Sequence, residues 1–331
     1  MQMAKLGQGR AQYEWSGVAG ETESPGFAHH GVAVTASGRI VSFDAANDEV
    51  VVFDADGMPL RRWASGLTEG HGITSVVDDD GECIWIADCG QKMRPAASGR
   101  YEPYTAGSHG RVVKFTVDGR LLRELPLPPV AVYRNHRYSP TAIAVDDVGA
   151  RAGASGRIWV ADGYGQSLVH IYDSDGSYLD SLDGSFNCPH GLLIDLRRTE
   201  PQVYIADREN GRLQVYSLDG EFIRTAGSGL LRRPSALATT NDLLIVAELE
   251  ARVTVLDLQD MLVCYLGADN AAPERPGWPN ALAADGRTIR PSLDAGCFNS
   301  PHGLAVDHRG NVVIAEWLIG GRLTKLFRDP T

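Results

Sequence analysis

One phrase recurs along this 331-residue chain and leaves few folds open to it. A His or Pro followed by a small residue opens an alternating apolar run, a turn follows, and a second apolar run ends in Ala-Asp or Ala-Glu. The clearest copies are Pro189-His190-Gly191-Leu192-Leu193-Ile194-Asp195 with Val203-Tyr204-Ile205-Ala206-Asp207, and Pro301-His302-Gly303-Leu304-Ala305-Val306-Asp307 with Val312-Val313-Ile314-Ala315-Glu316. Others begin at His30, His71, Pro140 and Pro234, so inner strands are predicted to start near 30, 71, 140, 190, 234 and 302. Two further period-two runs follow each phrase, with Asp-Gly hairpin signals at 56–57, 118–119, 175–176 and 219–220. Four strands repeated six times predicts an all-β, six-bladed propeller, a ring that leaves only short protected edges. The last repeat has three strands, so the segment Gln12-Tyr13-Glu14-Trp15 is predicted to supply its fourth and close the ring. The whole chain, 1–331, then reads as one domain.

Successive starts are 41 to 69 residues apart, against roughly 40 to 45 for a four-stranded blade. The excess falls in insertions at 90–110, 128–139 and 268–299. Strand order places all three on the face where the His-Gly pairs open the inner strands. Long loops gathered on one side of a rigid scaffold mark its working face.

His30, His71, His190 and His302 each open an inner strand and each precede Gly. Blades 2, 4 and 6 are a third of a turn apart, so His71, His190 and His302 form a threefold set of imidazoles aimed at the axis. That is the donor set of a catalytic zinc site with an open fourth position; another divalent transition ion suits it too. Each Gly is read as letting the backbone turn beside a crowded axis. A structural reading stands beside this one, since His109-Gly110 shows the pair serving elsewhere. His30 breaks the threefold pattern and is left as an additional ligand, a hydrogen-bond donor or a substrate contact. Histidines 29, 109, 136, 170 and 308 have no comparable claim, although His109 and His136 lie on working-face loops. The strand-end acids Asp88, Asp162, Asp207, Glu248 and Glu316 occur blade after blade, so they are read as structural ties to backbone N–H groups. Just beyond them the repeat breaks. Tyr164 and Arg208 emerge beside the channel, the first a candidate general base if a cation and a guanidinium lower its pKa, the second a clamp for a substrate carboxylate. A packing Tyr and a surface Arg are the plainer alternative.

Lys plus Arg number 31 against 42 Asp plus Glu, a net charge of −11, which disfavours nucleic acid or an anionic membrane as partner. No run approaches the roughly 18 apolar residues of a membrane span. The start Met1-Gln2-Met3-Ala4-Lys5 lacks the apolar core of a signal peptide, so the chain is expected to be cytoplasmic. Five cysteines (83, 89, 188, 264, 297) with no CxxC pair argue against a disulfide framework or a thiolate zinc finger.

These repeats resemble NHL repeats over nearly the whole chain. More narrowly, the chain resembles the lyase domain of peptidylglycine amidation, the peptidyl-α-hydroxyglycine α-amidating lyase. Ala206-Asp207-Arg208-Glu209-Asn210-Gly211-Arg212 is similar to that family's fourth blade, Asp162-Gly163-Tyr164 to the motif bearing its catalytic tyrosine, and His71-Gly72, His190 and Pro301-His302 fall where it places three zinc ligands. The resemblance implies a zinc-dependent lyase that cleaves the C–N bond of a carbinolamide-type (α-hydroxy amide) substrate, a small molecule or short peptide-like compound with an anionic group. It also implies a structural calcium. There are departures. Ala45 stands near the place of the family's blade-one arginine, Ser300 replaces a methionine, and Gly303 replaces the Asp that helps hold calcium. Loop arginines 94, 134, 137, 275, 287 and 290 are candidates to bind the anion instead. A lactone or amide hydrolase on the same three-histidine site, and a non-catalytic protein-binding module, are the alternatives.

Overall fold

The computed structural model describes residues 4–17, 26–107 and 109–329; the opening Met1-Gln2-Met3 lies outside them. Six antiparallel sheets follow one another along the chain, each ordered from an inner to an outer strand. In blade 4 the order is Pro189–Asp195, Gln202–Asp207, Arg212–Ser217 and Phe222–Ala226. The other inner strands are Ala33–Val34, Gly70–Asp78, Ala142–Val145, Pro234–Thr240 and Pro301–Val306. Each touches the inner strand of both neighbours, round to the first, which closes the propeller. Blade 6 takes its fourth strand, Ala11–Gly17, from the N-terminal region, paired Trp15 to Leu326, and Lys5–Gln8 adds a fifth outside it.

Packing explains the sequence pattern strand by strand. Second strands are buried along nearly their whole length, as in Leu243–Glu248, because adjacent blades cover both of their faces. They therefore read as continuous apolar runs rather than alternating ones. Outer strands such as Phe222–Ala226 are mostly exposed. Apolar clusters lie between neighbouring blades, for instance Ile84, Ile86, Phe43 and Val50 between blades 1 and 2, and Ile205, Trp159 and Leu192 between blades 3 and 4. The Asp-Gly turns put Gly57, Gly119, Gly176 and Gly220 at positive φ, and Asp260 takes the same conformation in blade 5.

Two insertions fold as hairpins, Gln91–Pro95 with Tyr101–Thr105 and Ala281–Leu282 with Thr288–Ile289. They are tied together by Thr288 N–H donating to Gly99 O at 3.1 Å. Around them Tyr101, Phe27, Trp317 and Trp278 make a chain of ring contacts at 5.5–5.9 Å, which continues to His29. No helix among the described residues is long and apolar enough to cross a membrane.

Candidate functional site

His71, His190 and His302 meet at the axis, their ring centroids 4.7 to 4.9 Å apart. Local backbone aims them. In all three blades the strand register slips at the histidine, between Gly70 and Gly72, Pro189 and Gly191, and Pro301 and Gly303. Such a bulge redirects the side chain of the extra residue. Each ring then places Nδ1 against a carbonyl of the next blade: Thr141 O at 2.6 Å, Ser235 O at 2.8 Å and His30 O at 3.1 Å. A carbonyl only accepts, so Nδ1 carries the proton and Nε2 presents a lone pair. Burial drives all three pKa values down, to about 3 for His71. These are neutral imidazoles, as metal ligation requires. The Nε2 of His302 is buried with no hydrogen-bond partner.

The Tyr164 hydroxyl sits among them, 3.3 Å from His71 Nε2, 3.0 Å from His190 Nε2 and 2.9 Å from His29 Nε2, and accepts from Arg208 Nη1 at 3.0 Å. It has one proton and faces more than one lone pair, so protein groups alone leave the cluster short of donors. An electrophile fits that deficit. Asp162 pins the turn that delivers Tyr164, accepting from Ser139 N and Gln166 N at 2.6 Å and from Tyr133 Oη at 2.7 Å. Arg208 is held by its own backbone N–H on Cys188 O and by Glu209, 2.8 Å from its Nε. A phenol acting as general base needs a lowered pKa. In this pocket burial pushes Tyr164 up, with Arg208 pulling against it. The strand-end acids accept backbone N–H groups throughout, such as Thr68, Glu69 and Gly90 on Asp88.

His30 does not join the cluster. Blade 1 shows no register slip there, its pairing beginning at Ala33 with Val41, and Nδ1 of His30 turns to Ser42 Oγ at 3.0 Å and Gly31 O at 3.1 Å. Its backbone carbonyl is what serves the site, through His302. His29, set aside in the sequence, stands on the axis instead, with its ring 4.7 Å from both His71 and His302. The donor nitrogens of His29, His71 and His302 all lie within 4.8 Å of one another. The adjacent His-His pair was the available signal, and the Gly that follows pointed to the wrong member.

Most loop arginines are already engaged. Arg94 stacks on Tyr104, Arg275 pairs with Asp269, Arg287 with Asp285, and Arg290 donates to Ile319 O and Gly321 O. Arg134 is exposed. Arg137 lies nearest the tyrosine turn, donating to Cys89 O and Gly90 O, with its Nε buried and unpartnered. Sequence reasoning missed Lys92, whose Nζ donates to Ala45 O at 3.0 Å and pairs with Asp48. It brings a cation beside Ala45. Buried Glu69 is close enough to feel it, and burial pushes that carboxyl well up. The carboxylate that the resemblance would place at Gly303 to help hold a calcium has no room there: a Cβ on Gly303 would lie 2.9 Å from Gly31 Cα.

The same close approach explains the His-Gly pairs better than a turn does. A Cβ on Gly72 would meet Thr141 O, and one on Gly191 would meet Ser235 O, both at 2.6 Å. Gly191→Ala is therefore expected to destabilise the fold by about 1–3 kcal/mol and to displace the carbonyl that orients His190. Urea unfolding of the variant tests this; an unchanged midpoint would mean that the blades part there without cost.

No protein-family model matches the chain. NHL repeat-containing protein 3 of Mus musculus is 29% identical over 225 residues, which is 63% of this chain and 58% of that protein. Peptidyl-glycine alpha-amidating monooxygenase B of Xenopus laevis is 31% identical over 102 residues, 28% of this chain and 11% of that one. The matches thus span little more than half of the first relative and about a tenth of the second. Among solved structures, one described as a streptogramin B lyase superposes with a TM-score of 0.57 at 13% identity, covering 96% of this chain and 98% of the other. A Bacteroides thetaiotaomicron protein of unknown function gives 0.61 at 14%, covering 98% and 76%. These likenesses show the fold. The chain is a six-bladed propeller, similar to NHL repeat-containing proteins and, over a shorter stretch, to the peptidylglycine amidating monooxygenases.

Proposed function

We propose that this protein is a metal-dependent lyase, with zinc as the ion, that cleaves the C–N bond of an α-hydroxy amide into an aldehyde and an amide. One observation carries the reading: imidazole lone pairs fixed by carbonyls behind them converge on a tyrosine hydroxyl that also receives Arg208. The resemblance around Tyr164 and Arg208, and the 31% identity to an amidating monooxygenase, support it. His71, His190 and His302 would hold the ion, which supplies Lewis acidity at the substrate oxygen when bound. Tyr164, as the phenolate that Arg208 and the bound cation would favour, accepts the hydroxyl proton. The freed electron pair makes the aldehyde C=O as the C–N pair leaves with nitrogen, which takes the proton back from Tyr164 to become the amide. Arg208, 3.0 Å from the phenol oxygen, stabilises the phenolate before it takes the proton. Its other edge is held by Glu209, so the substrate's anionic group is expected to meet Arg208 or Arg137 singly rather than as a bidentate pair.

The test is metal content of the purified protein beside a variant with His71, His190 and His302 all changed to Ala, followed by turnover of an N-acyl-α-hydroxyglycine. About one equivalent of zinc in the first and none in the second, with aldehyde released by the first alone, is expected. Lack of metal in both would favour the binding-module reading, and lactone opening without C–N cleavage the hydrolase. We further propose cytoplasmic residence, supported by five cysteines that stand as free thiols.

A further inference from the structure

Three of the four imidazoles at the axis have a carbonyl behind Nδ1; among the described residues His29 has none. Its ring is half-buried, and its Nε2 points inward to the Tyr164 hydroxyl at 2.9 Å. His29, His71 and His302 form a nearly equilateral set, each pair of ring centroids 4.7 Å apart. Their donor nitrogens all lie within 4.8 Å. Nitrogens at about 2.0–2.1 Å from one tetrahedral ion stand roughly 3.3 Å apart, so modest ring movements close the set. A second observation points the same way. His302 Nε2, buried and without a partner, belongs to this set.

We propose that His29 is a ligand of the metal, a fourth imidazole beside the three that open blades 2, 4 and 6. The proposal rests on the metal reading above and deepens it: the ion is a divalent transition metal with a nitrogen-rich sphere. Catalytic zinc sites expand to five ligands, so a fourth imidazole still leaves room for a substrate oxygen. His29 comes from the segment leading into the shortest inner strand, Ala33–Val34, and no carbonyl among the described residues fixes its ring. It is thus the ligand with most freedom to shift as substrate enters. His308, exposed and away from the axis, serves as an internal control.

The experiment is a cobalt(II) titration of the metal-stripped protein and of its His29→Ala, His29→Gln, His308→Ala and His71→Ala variants. Affinity and the visible absorption of the bound ion are the readouts, with thermal melts of the metal-free proteins to confirm folding. Both His29 variants are expected to bind about tenfold or more weakly with a shifted absorption band, while His308→Ala leaves both readouts unchanged. If the His29 variants keep the parent affinity and spectrum while His71→Ala abolishes binding, His29 is not a ligand and the metal reading stands. If the parent protein takes up no cobalt, both readings fall.

Discussion

Tyr164→Phe is expected to lower turnover of an α-hydroxy amide by about 10²–10⁴-fold while the metal stays bound. The expectation follows from what the substitution removes. The ring packs among His29, His71 and His190 at centroid distances of 5.0–5.6 Å, and Phe keeps that packing. It loses only the oxygen that lies 2.9–3.3 Å from three imidazole nitrogens and from Arg208. If the phenol is the base, kcat falls and KM changes little, because the lost interaction acts on the reacting proton rather than on binding. If Tyr164 instead packs the channel wall, Phe is nearly neutral. Undiminished kcat with metal retained would remove Tyr164 from the chemistry. Arg208→Lys sharpens the comparison, since a lysine keeps the charge but not the planar fork that reaches both Tyr164 and Glu209.

How far the sequence disclosed this site depends on what the repeat itself encodes. The repeat fixes which strand is innermost and which end faces the insertions, and from that His71, His190 and His302 follow. Blade 1 shows where the inference stops. Neighbouring residues of an extended chain point to opposite sides, so choosing between His29 and His30 needs the local register. The other three blades carry a bulge at the histidine, and blade 1 begins to pair only at Ala33. Gly31 follows His30 because the inner strands approach there, its Cβ position lying 2.9 Å from His71 O. It says nothing about which imidazole faces the axis. Lys92 was hidden for another reason. It lies in an insertion, outside the repeat, and nothing in its neighbours tells that the hairpin leans back over Ala45. Tautomers were equally out of reach, because the carbonyls that set them belong to the next blade, 45 to 272 residues away in sequence.

Trp15→Ala is expected to cost about 3–5 kcal/mol, the usual loss for a large buried aromatic. Blade 6 is built from both ends of the chain, Ala11–Gly17 against Leu323–Arg328, so its outer seam is where the ring can part without breaking a hairpin. Trp15 is 6% exposed, its ring 4.7 Å from Phe298 and beneath the Arg322 guanidinium. Arg322 in turn pairs with buried Glu316, whose carboxylate receives Asn299 N and Ser300 N just before the Pro301–His302 step. The indole therefore supports both the seam and the segment that delivers His302. Against a total stability of about 5–15 kcal/mol, such a loss should make blade 6 the first to open. Hydrogen exchange should then show Ala11–Gly17 and Leu323–Arg328 losing protection together, with blades 3 and 4 still protected. Leu60→Ala, at a side chain 59% exposed in blade 1, is the control and should stay within about 0.5 kcal/mol of the parent. A Trp15→Ala shift below about 1 kcal/mol, or protection lost evenly around the ring, would show that the closing strand is held by its backbone ladder rather than by this packing.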